Sequence, residues 1–280
     1  VQFVDKPRQI AGEERWLIPD GLLQCSNEAS SKELFDTTMG LVEEVAEEFG
    51  VNSAVAMGRA KAYLAENGYT LDDEYKYPSA SDPQTWDALN TYLQADSRPL
   101  VQLYDGLMMY DIKNTQQPAI AESVESNDDM TVFTFKIRQG VKWVDSQGRE
   151  IGEVTADDFV AGMQHMMDCQ AGLEYLVQGV IVGADAYING ETSDFSEVGV
   201  KAVDDYTLEY TLEQPTSYFM TMLGYGVFAP MSRSYYESQG GKFGVEFDSS
   251  ASDYTYGKDP NSIAYCGPYI VTSSTEKNSI

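Results

Sequence analysis

The stretch from Met130 to Cys169 most constrains the fold, because its hydrophobic pattern changes period along its length. Phe133, Phe135 and Ile137 alternate with polar residues, which is the period-two pattern of a half-buried β-strand. Gly140 and the segment 145–148 then predict a turn. The chain should therefore reverse direction before its next element begins.

That next element is predicted to be a helix. Thr155 is followed three residues later by Asp158, which is the spacing of an N-terminal capping box. Apolar residues then recur at helical spacing, namely Phe159, Val160, Met163, Met166 and Met167. The stretch thus predicts a strand–turn–helix unit of an α/β protein.

Charge restricts the partners of this chain. The chain has 280 residues, which is enough for about two domains. It carries 45 Asp and Glu residues against 18 Lys and Arg residues, which gives a net charge of −27. Such a surface repels nucleic-acid phosphates and anionic lipids, so we expect neither as a partner. It attracts cationic ligands, but a soluble surface is the simpler interpretation.

The sequence contains no run of eighteen apolar residues, so it predicts no membrane-spanning helix. The N-terminus lacks the basic and then apolar pattern of a signal peptide. A mature chain would lack this pattern too, so export stays open.

The cysteines and the single histidine give little support for a metal site. Cys25, Cys169 and Cys266 have no C-x-x-C spacing, although one disulfide between two of them stays open in an oxidising compartment. His165 lies among methionines and near Cys169, and such soft ligands suit copper or nickel. Methionines at helical spacing usually fill a core, however, and His165 points away from their face. We therefore predict packed methionines, an exposed His165 and no metal.

The sequence also argues against catalysis. With one histidine and neither a nucleophile-elbow nor a phosphate-loop motif, acid–base chemistry would have to use paired carboxylates, as in glycoside hydrolases. The abundant Asp and Glu residues are typical of a solvated surface. We expect a protein that is not an enzyme and needs no cofactor.

Other segments carry weaker signals. The pattern predicts two helices within 32–67 and one over 88–103, which Pro99 interrupts, whereas 1–31 has no assignable element. Residues 198–213 alternate around Asp204 and Asp205, which predicts a β-hairpin.

Short motifs follow one another in a recognisable order. They are Ser81–Asp87, Tyr104–Leu107, Pro118–Ser123, Phe135–Arg138, Lys142–Asp145, Val154–Phe159, Gly199–Phe219 and Tyr265–Tyr269. This series resembles the family-5 extracellular solute-binding proteins, which are the oligopeptide-, dipeptide- and nickel-binding receptors of ABC importers. The chain departs from the family pattern by extra residues at 146–147 and 150–153, and by Cys266 where members usually carry Asn.

The resemblance implies an α/β fold of the periplasmic-binding-protein-like class II, with mixed sheets and flanking helices. It implies a first lobe formed by residues 1–104 and 231–280, which includes the helical pair at 32–67. Residues 105–230 would form a second, inserted lobe. Because family members continue through a third lobe, the chain resembles their N-terminal portion with that lobe missing.

The resemblance also implies a function and a site. The expected protein is a monomeric capture subunit, lipid-anchored outside the cell membrane or periplasmic, that delivers a small-molecule solute, foremost an oligopeptide, to an ABC permease. The expected ligand-binding residues are Trp86, Asp87 and Leu89, where the backbone would pair with an extended peptide, and Tyr265, Cys266 and Gly267 at a crossover.

Alternatives remain open at this point. Trp86 also suits a core aromatic residue, and Cys266 suits a small buried residue. The loss of the Asn amide at 266 leaves the ligand open to a nickel chelate or an oligosaccharide. The same fold also suits a peptide-pheromone receptor or an adhesin.

Overall fold

The structure is a computed structural model that describes residues 8–10, 13–18, 21–24, 71–72, 81–110 and 115–275. It divides into two compact units, Val1–Pro78 and Ser79–Ile280. The helical pair predicted within 32–67 lies outside the described residues. The predicted division into a lobe of 1–104 with 231–280 and an inserted lobe of 105–230 stays a prediction.

The described part of the first unit is one antiparallel sheet whose strands are in the order β1-β2-β3-β4. The strands are β1 (Arg8–Ile10), β2 (Glu13–Ile18), β3 (Gly21–Gln24) and β4 (Leu71–Asp72). The sequence indicated no element over 1–31, because these strands are short and their apolar runs, at 16–18 and 22–23, cover only two or three residues.

The second unit mixes short strands and helices. Its strands are β5 (Met108–Tyr110), β6 (Gln116–Pro118), β7 (Ala121–Ser126), β8 (Val132–Ile137), β9 (Lys142–Val144), β10 (Glu150–Glu153), β11 (Val200–Asp204) and β12 (Thr207–Thr211). Its helices are α1 (Gln94–Leu100), α2 (Ala156–Cys169), α3 (Ala184–Ile188), α4 (Phe219–Met222) and α5 (Arg233–Ser238). None of these described helices combines the length and the apolarity that crossing a bilayer requires.

A four-stranded antiparallel sheet, ordered β11-β12-β8-β7, carries the main core of the second unit. In it Leu208 lies opposite Phe135, and Tyr210 lies opposite Phe133. All four side chains are buried. Directly opposed aromatic and branched side chains stabilise antiparallel pairing, so the predicted strand and hairpin are both confirmed.

Helix α2 covers one part of this core. Thr155 and Asp158 form the predicted capping box, in which Thr155 N–H donates to Asp158 Oδ2 at 2.9 Å. Met163, Met166 and Met167 are each at most 1% exposed, so their predicted role as core residues is confirmed. The helix packs against the sheet and against α5, and residues on more than one of its faces are buried.

The helix predicted over 88–103 is shorter than expected, because α1 covers only Gln94–Leu100. The preceding residues form turns instead. The Asp87 side chain accepts a hydrogen bond from Leu89 N, and the Thr91 hydroxyl accepts one from Leu93 N. Such local side-chain bonds compete with helical hydrogen bonding, so the prediction was wrong for 88–93. It was also wrong for 101–103, which lie beyond the end of α1, and Pro99 lies within α1 without interrupting it.

One buried carboxylate joins three elements of the second unit. Asp158 Oδ2 accepts hydrogen bonds from Trp143 Nε1 at 3.0 Å and from Thr155 N at 2.9 Å, and Oδ1 accepts one from Arg233 N at 3.1 Å. Burial raises the pKa of Asp158, and these hydrogen bonds oppose that shift. The side chain thereby connects β9, the start of α2 and the start of α5.

Replacing this carboxylate should destabilise the protein strongly. In Asp158→Asn an amide N–H₂ faces buried donors, and leaving such donors unpaired costs about 1 to 3 kcal/mol. Asp157→Asn is the matched control, because Asp157 only forms a half-exposed ion pair with Arg233, worth less than about 1 kcal/mol. Urea denaturation of both variants measures the difference, and equal losses of unfolding free energy would contradict the assignment.

Candidate ligand-binding site

The first predicted segment, 86–89, is a turn whose side chains point inward. Trp86 N–H donates to Gly257 O at 2.8 Å, and Asp87 N–H donates to Thr85 Oγ1 at 3.1 Å. Trp86, Asp87 and Leu89 are 7%, 2% and 3% exposed. The side chains of this segment therefore hold its conformation.

The second predicted segment, 265–267, is also held by backbone bonds. Tyr265 and Val144 exchange two hydrogen bonds, of 2.8 and 2.9 Å, in an isolated antiparallel bridge. The N–H groups of Cys266 and Gly267 both donate to Leu103 O, at 3.2 and 3.0 Å. The crossover is thereby fixed against the chain that follows α1.

The structure brings the two segments together. Trp86 and Tyr265 belong to one small hydrophobic cluster, whose other buried members are Leu100, Leu103, Ile263 and Val271. A cavity of about 30 Å³ adjoins this cluster and is lined by residues 86–89 together with Ile263 and Ala264. This space suits a water molecule rather than a peptide, because ligand pockets usually measure about 300 to 1,000 Å³.

Gly267 is needed for close backbone approach. A methyl group at this position would lie 2.4 Å from Tyr104 N and 2.6 Å from Leu103 C. Cys266 is buried, and burial is the main cause that raises the pKa of its thiol. Neither Cys266 nor Cys169 is part of a disulfide. Roles of Trp86, Asp87, Leu89, Tyr265, Cys266 and Gly267 in binding a solute stay predictions.

The prediction of an exposed His165 is wrong. Its side chain is fully buried, and Nε2 lies 2.7 Å from Asp87 Oδ2. The helical-face argument failed because α2 is covered on several sides, so a residue away from the methionines still lies in the core. Sequence spacing placed His165 beside Cys169, but nothing in the sequence pairs it with Asp87, which is 78 residues away.

Burial raises the pKa values of two groups near His165, Asp168 and Cys169. Burial raises the pKa of Asp168, whereas hydrogen bonds from Gly244 N and the Tyr187 hydroxyl oppose that shift. Burial first, and then the charges of Asp87, Asp168 and Glu174, raise the pKa of Cys169 far above its ordinary value. The Cys169 thiol is therefore protonated at neutral pH, which does not suit a nucleophile.

Comparison with known proteins decides the family. The family model described as "Bacterial extracellular solute-binding proteins, family 5 Middle" matches residues 115–280, more than half of the chain. The chain belongs to this family. Family 5 is a group of solute-binding proteins rather than of enzymes, and the sequence motifs from Pro118 to Tyr269 lie within the matched range.

Several curated relatives are oligopeptide-binding proteins. The chain is 38% identical over 74% of its length to oligopeptide-binding protein AmiA of Streptococcus pneumoniae serotype 4. It is 36% identical over 76% of its length to oligopeptide-binding protein AliB of the same organism. It spans 30% and 31% of the lengths of these two relatives.

Solved structures agree with the family assignment. A substrate-binding domain of an oligopeptide ABC transporter from Bacillus anthracis matches 72% of this chain and 35% of its own chain, with a TM-score of 0.61 and 29% identity. Peptide-bound OppA of Listeria monocytogenes matches 67% of this chain and 34% of its own, with a TM-score of 0.57 and 28% identity. The predicted α/β periplasmic-binding-protein-like fold is thus confirmed for the part of that fold that this family-5 chain covers.

Gly267→Ala should destabilise this family-5 chain at the crossover. Backbone atoms block the new methyl group, and overpacking of this kind costs about 1 to 3 kcal/mol. Gly152→Ala is the matched control, because no atom of the described residues lies within 4 Å of a methyl group there. Thermal unfolding followed by circular dichroism compares the two, and a Gly267→Ala midpoint no lower than that of the control would refute the close approach.

Proposed function

We propose that this chain belongs to the substrate-binding component of an ABC importer that captures oligopeptides outside the cell membrane. The observation that carries this proposal is the match to oligopeptide-binding relatives at 34% to 38% identity over about three quarters of the chain. Peptide-bound structures among its structural neighbours support the same solute class.

The mechanism needs no covalent step. Lobes close around the peptide about a hinge, which excludes water from it and forms the surface that the permease recognises. The raised pKa of Cys169 and the burial of His165 agree with a binding role, since neither side chain is available to attack a solute.

The turn at 86–89 offers backbone groups to an extended peptide. Within the described part of the chain, Ala88 N–H has no hydrogen-bond acceptor, while its neighbours Asp87 and Leu89 are bonded locally. Main-chain bonding of this kind recognises any peptide backbone, so it gives affinity with little dependence on side chains. The fixed turn keeps this amide in place before the peptide arrives.

The location follows from the proposed role. The protein works on the outer face of the cell membrane, held by a lipid anchor, or in a periplasm, and it acts as a monomer. Its net charge of −27 favours solubility at high concentration and repels anionic membrane surfaces.

A second candidate function is a receptor for peptide pheromones. Pheromone receptor PrgZ, a protein with a known structure and mode of peptide binding, matches 70% of this chain with a TM-score of 0.58 and 27% identity. Both functions need the same peptide capture, so they differ only in the step after binding, which is import in one case and signalling in the other.

Deleting the gene for this chain should lower the uptake of isotope-labelled oligopeptides several-fold, with no change in the uptake of free amino acids. The wild-type gene and a Gly152→Ala gene should restore uptake, whereas a Gly267→Ala gene should restore less, because the crossover is displaced. Scintillation counting of washed cells measures the result.

The outcomes separate the alternatives. Unchanged uptake together with loss of the response to a peptide pheromone would replace import by signalling. Mass spectrometry should recover peptide unchanged after incubation with the purified protein, and cleaved peptide would overturn the proposal.

A further inference from the structure

Three side chains that can bind metals converge in the core of the second unit. One ligand atom from each of Asp87, His165 and Cys169 lies within 4.8 Å of those of the other two. His165 Nε2 is 2.7 Å from Asp87 Oδ2 and 3.4 Å from Cys169 Sγ. In the proposed capture of peptides, neither the histidine nor the thiol contacts the solute.

The backbone holds these groups in place. His165 and Cys169 are four residues apart on α2, which puts both on one face of the helix. Asp87 comes from the turn at 86–89, where its Oδ1 accepts a hydrogen bond from Leu89 N and its Oδ2 faces the histidine. The imidazole ring packs at 4.6 Å from Tyr236 and at 5.7 Å from Phe247, measured between ring centroids. The three ligands are thus oriented before any ion binds.

Two of the three separations between ligand atoms come close to those of a zinc site. Zinc bonds of about 2.0 to 2.3 Å in a tetrahedron separate neighbouring ligand atoms by about 3.3 to 3.6 Å. The separation of His165 Nε2 and Cys169 Sγ already falls in this range. The Nε2–Oδ2 pair has to open by about 0.6 Å to reach the same range. Replacing the shared proton by a metal ion produces an opening of this kind.

A metal ion can reach these three side chains from solvent, and the net charge of the chain attracts it. Cys169 is partly exposed, so an ion can enter at its edge and keep a water molecule as the fourth ligand. The net charge of −27 raises the local concentration of divalent cations.

We propose that Asp87, His165 and Cys169 bind a zinc ion that connects the turn at 86–89 to helix α2. A set of one carboxylate oxygen, one imidazole nitrogen and one thiolate favours zinc, because copper(I) prefers more sulfur, whereas magnesium and calcium prefer oxygen. On binding, the thiol loses its proton to the solvent, and the ion also displaces the proton that lies between His165 and Asp87.

Cobalt spectroscopy on the purified full chain tests this site. Co²⁺ should give a sulfur-to-cobalt charge-transfer band and tetrahedral ligand-field bands at one equivalent, and Zn²⁺ should abolish both. Cys169→Ser should remove the charge-transfer band and weaken Zn²⁺ binding by more than about tenfold, a loss that even a second-shell change can cause. Cys25→Ser and Cys266→Ser are matched controls that should keep the band.

Any of three results overturns the proposal. They are no charge-transfer band in the wild type, a band that survives in Cys169→Ser, or a band lost in a folded Cys25→Ser or Cys266→Ser variant. X-ray absorption of the zinc-loaded wild type gives an answer that does not depend on whether a variant folds. It should show one sulfur and otherwise nitrogen and oxygen neighbours, and a shell without sulfur or with several sulfurs excludes the site. Failure here leaves peptide capture untouched, because the readout is metal binding alone.

Discussion

The Asp158 carboxylate is the interaction on which the arrangement of the second unit depends. A buried carboxylate is stable only when its oxygens accept hydrogen bonds, and Asp158 obtains them from a tryptophan ring, a helix start and a distant backbone N–H. Each donor belongs to a different element. Meeting the needs of this one side chain therefore sets where β9, α2 and α5 lie relative to each other, and the crossover at Tyr265 is then attached to β9 through Val144.

The proposed binding region is built outward from that arrangement. Helix α2 holds His165, and His165 holds Asp87 by a short hydrogen bond in a fully buried setting. Asp87 in turn fixes the backbone of the turn at 86–89, whose residues would face a peptide. A hydrogen bond in a low-dielectric core is stronger and more directional than one at a surface. A ligand held at this turn thus rests on the core of the unit and not on a flexible loop.

Sequence reasoning worked best where one local pattern decided the outcome. Alternation identified β8 and the β11–β12 hairpin, and the spacing of Thr155 and Asp158 identified the start of α2. It failed at 88–93, where the side chains of Asp87 and Thr91 bond the backbone and prevent a helix. It failed again at His165, because a helical face can be assigned from spacing only when the opposite face is in water.

By itself, the sequence determined the family and the positions of β8, the β11–β12 hairpin and the start of α2, because these depend on residues within a few positions of each other. Only the tertiary structure decided that Trp86 and Tyr265 share a cluster, that Gly267 meets the backbone of Leu103 and Tyr104, and that Asp87 lies beside His165 and Cys169. The reason is physical. Contacts between residues far apart in the chain depend on how whole elements pack and bury their polar groups. A local sequence pattern does not predict that packing.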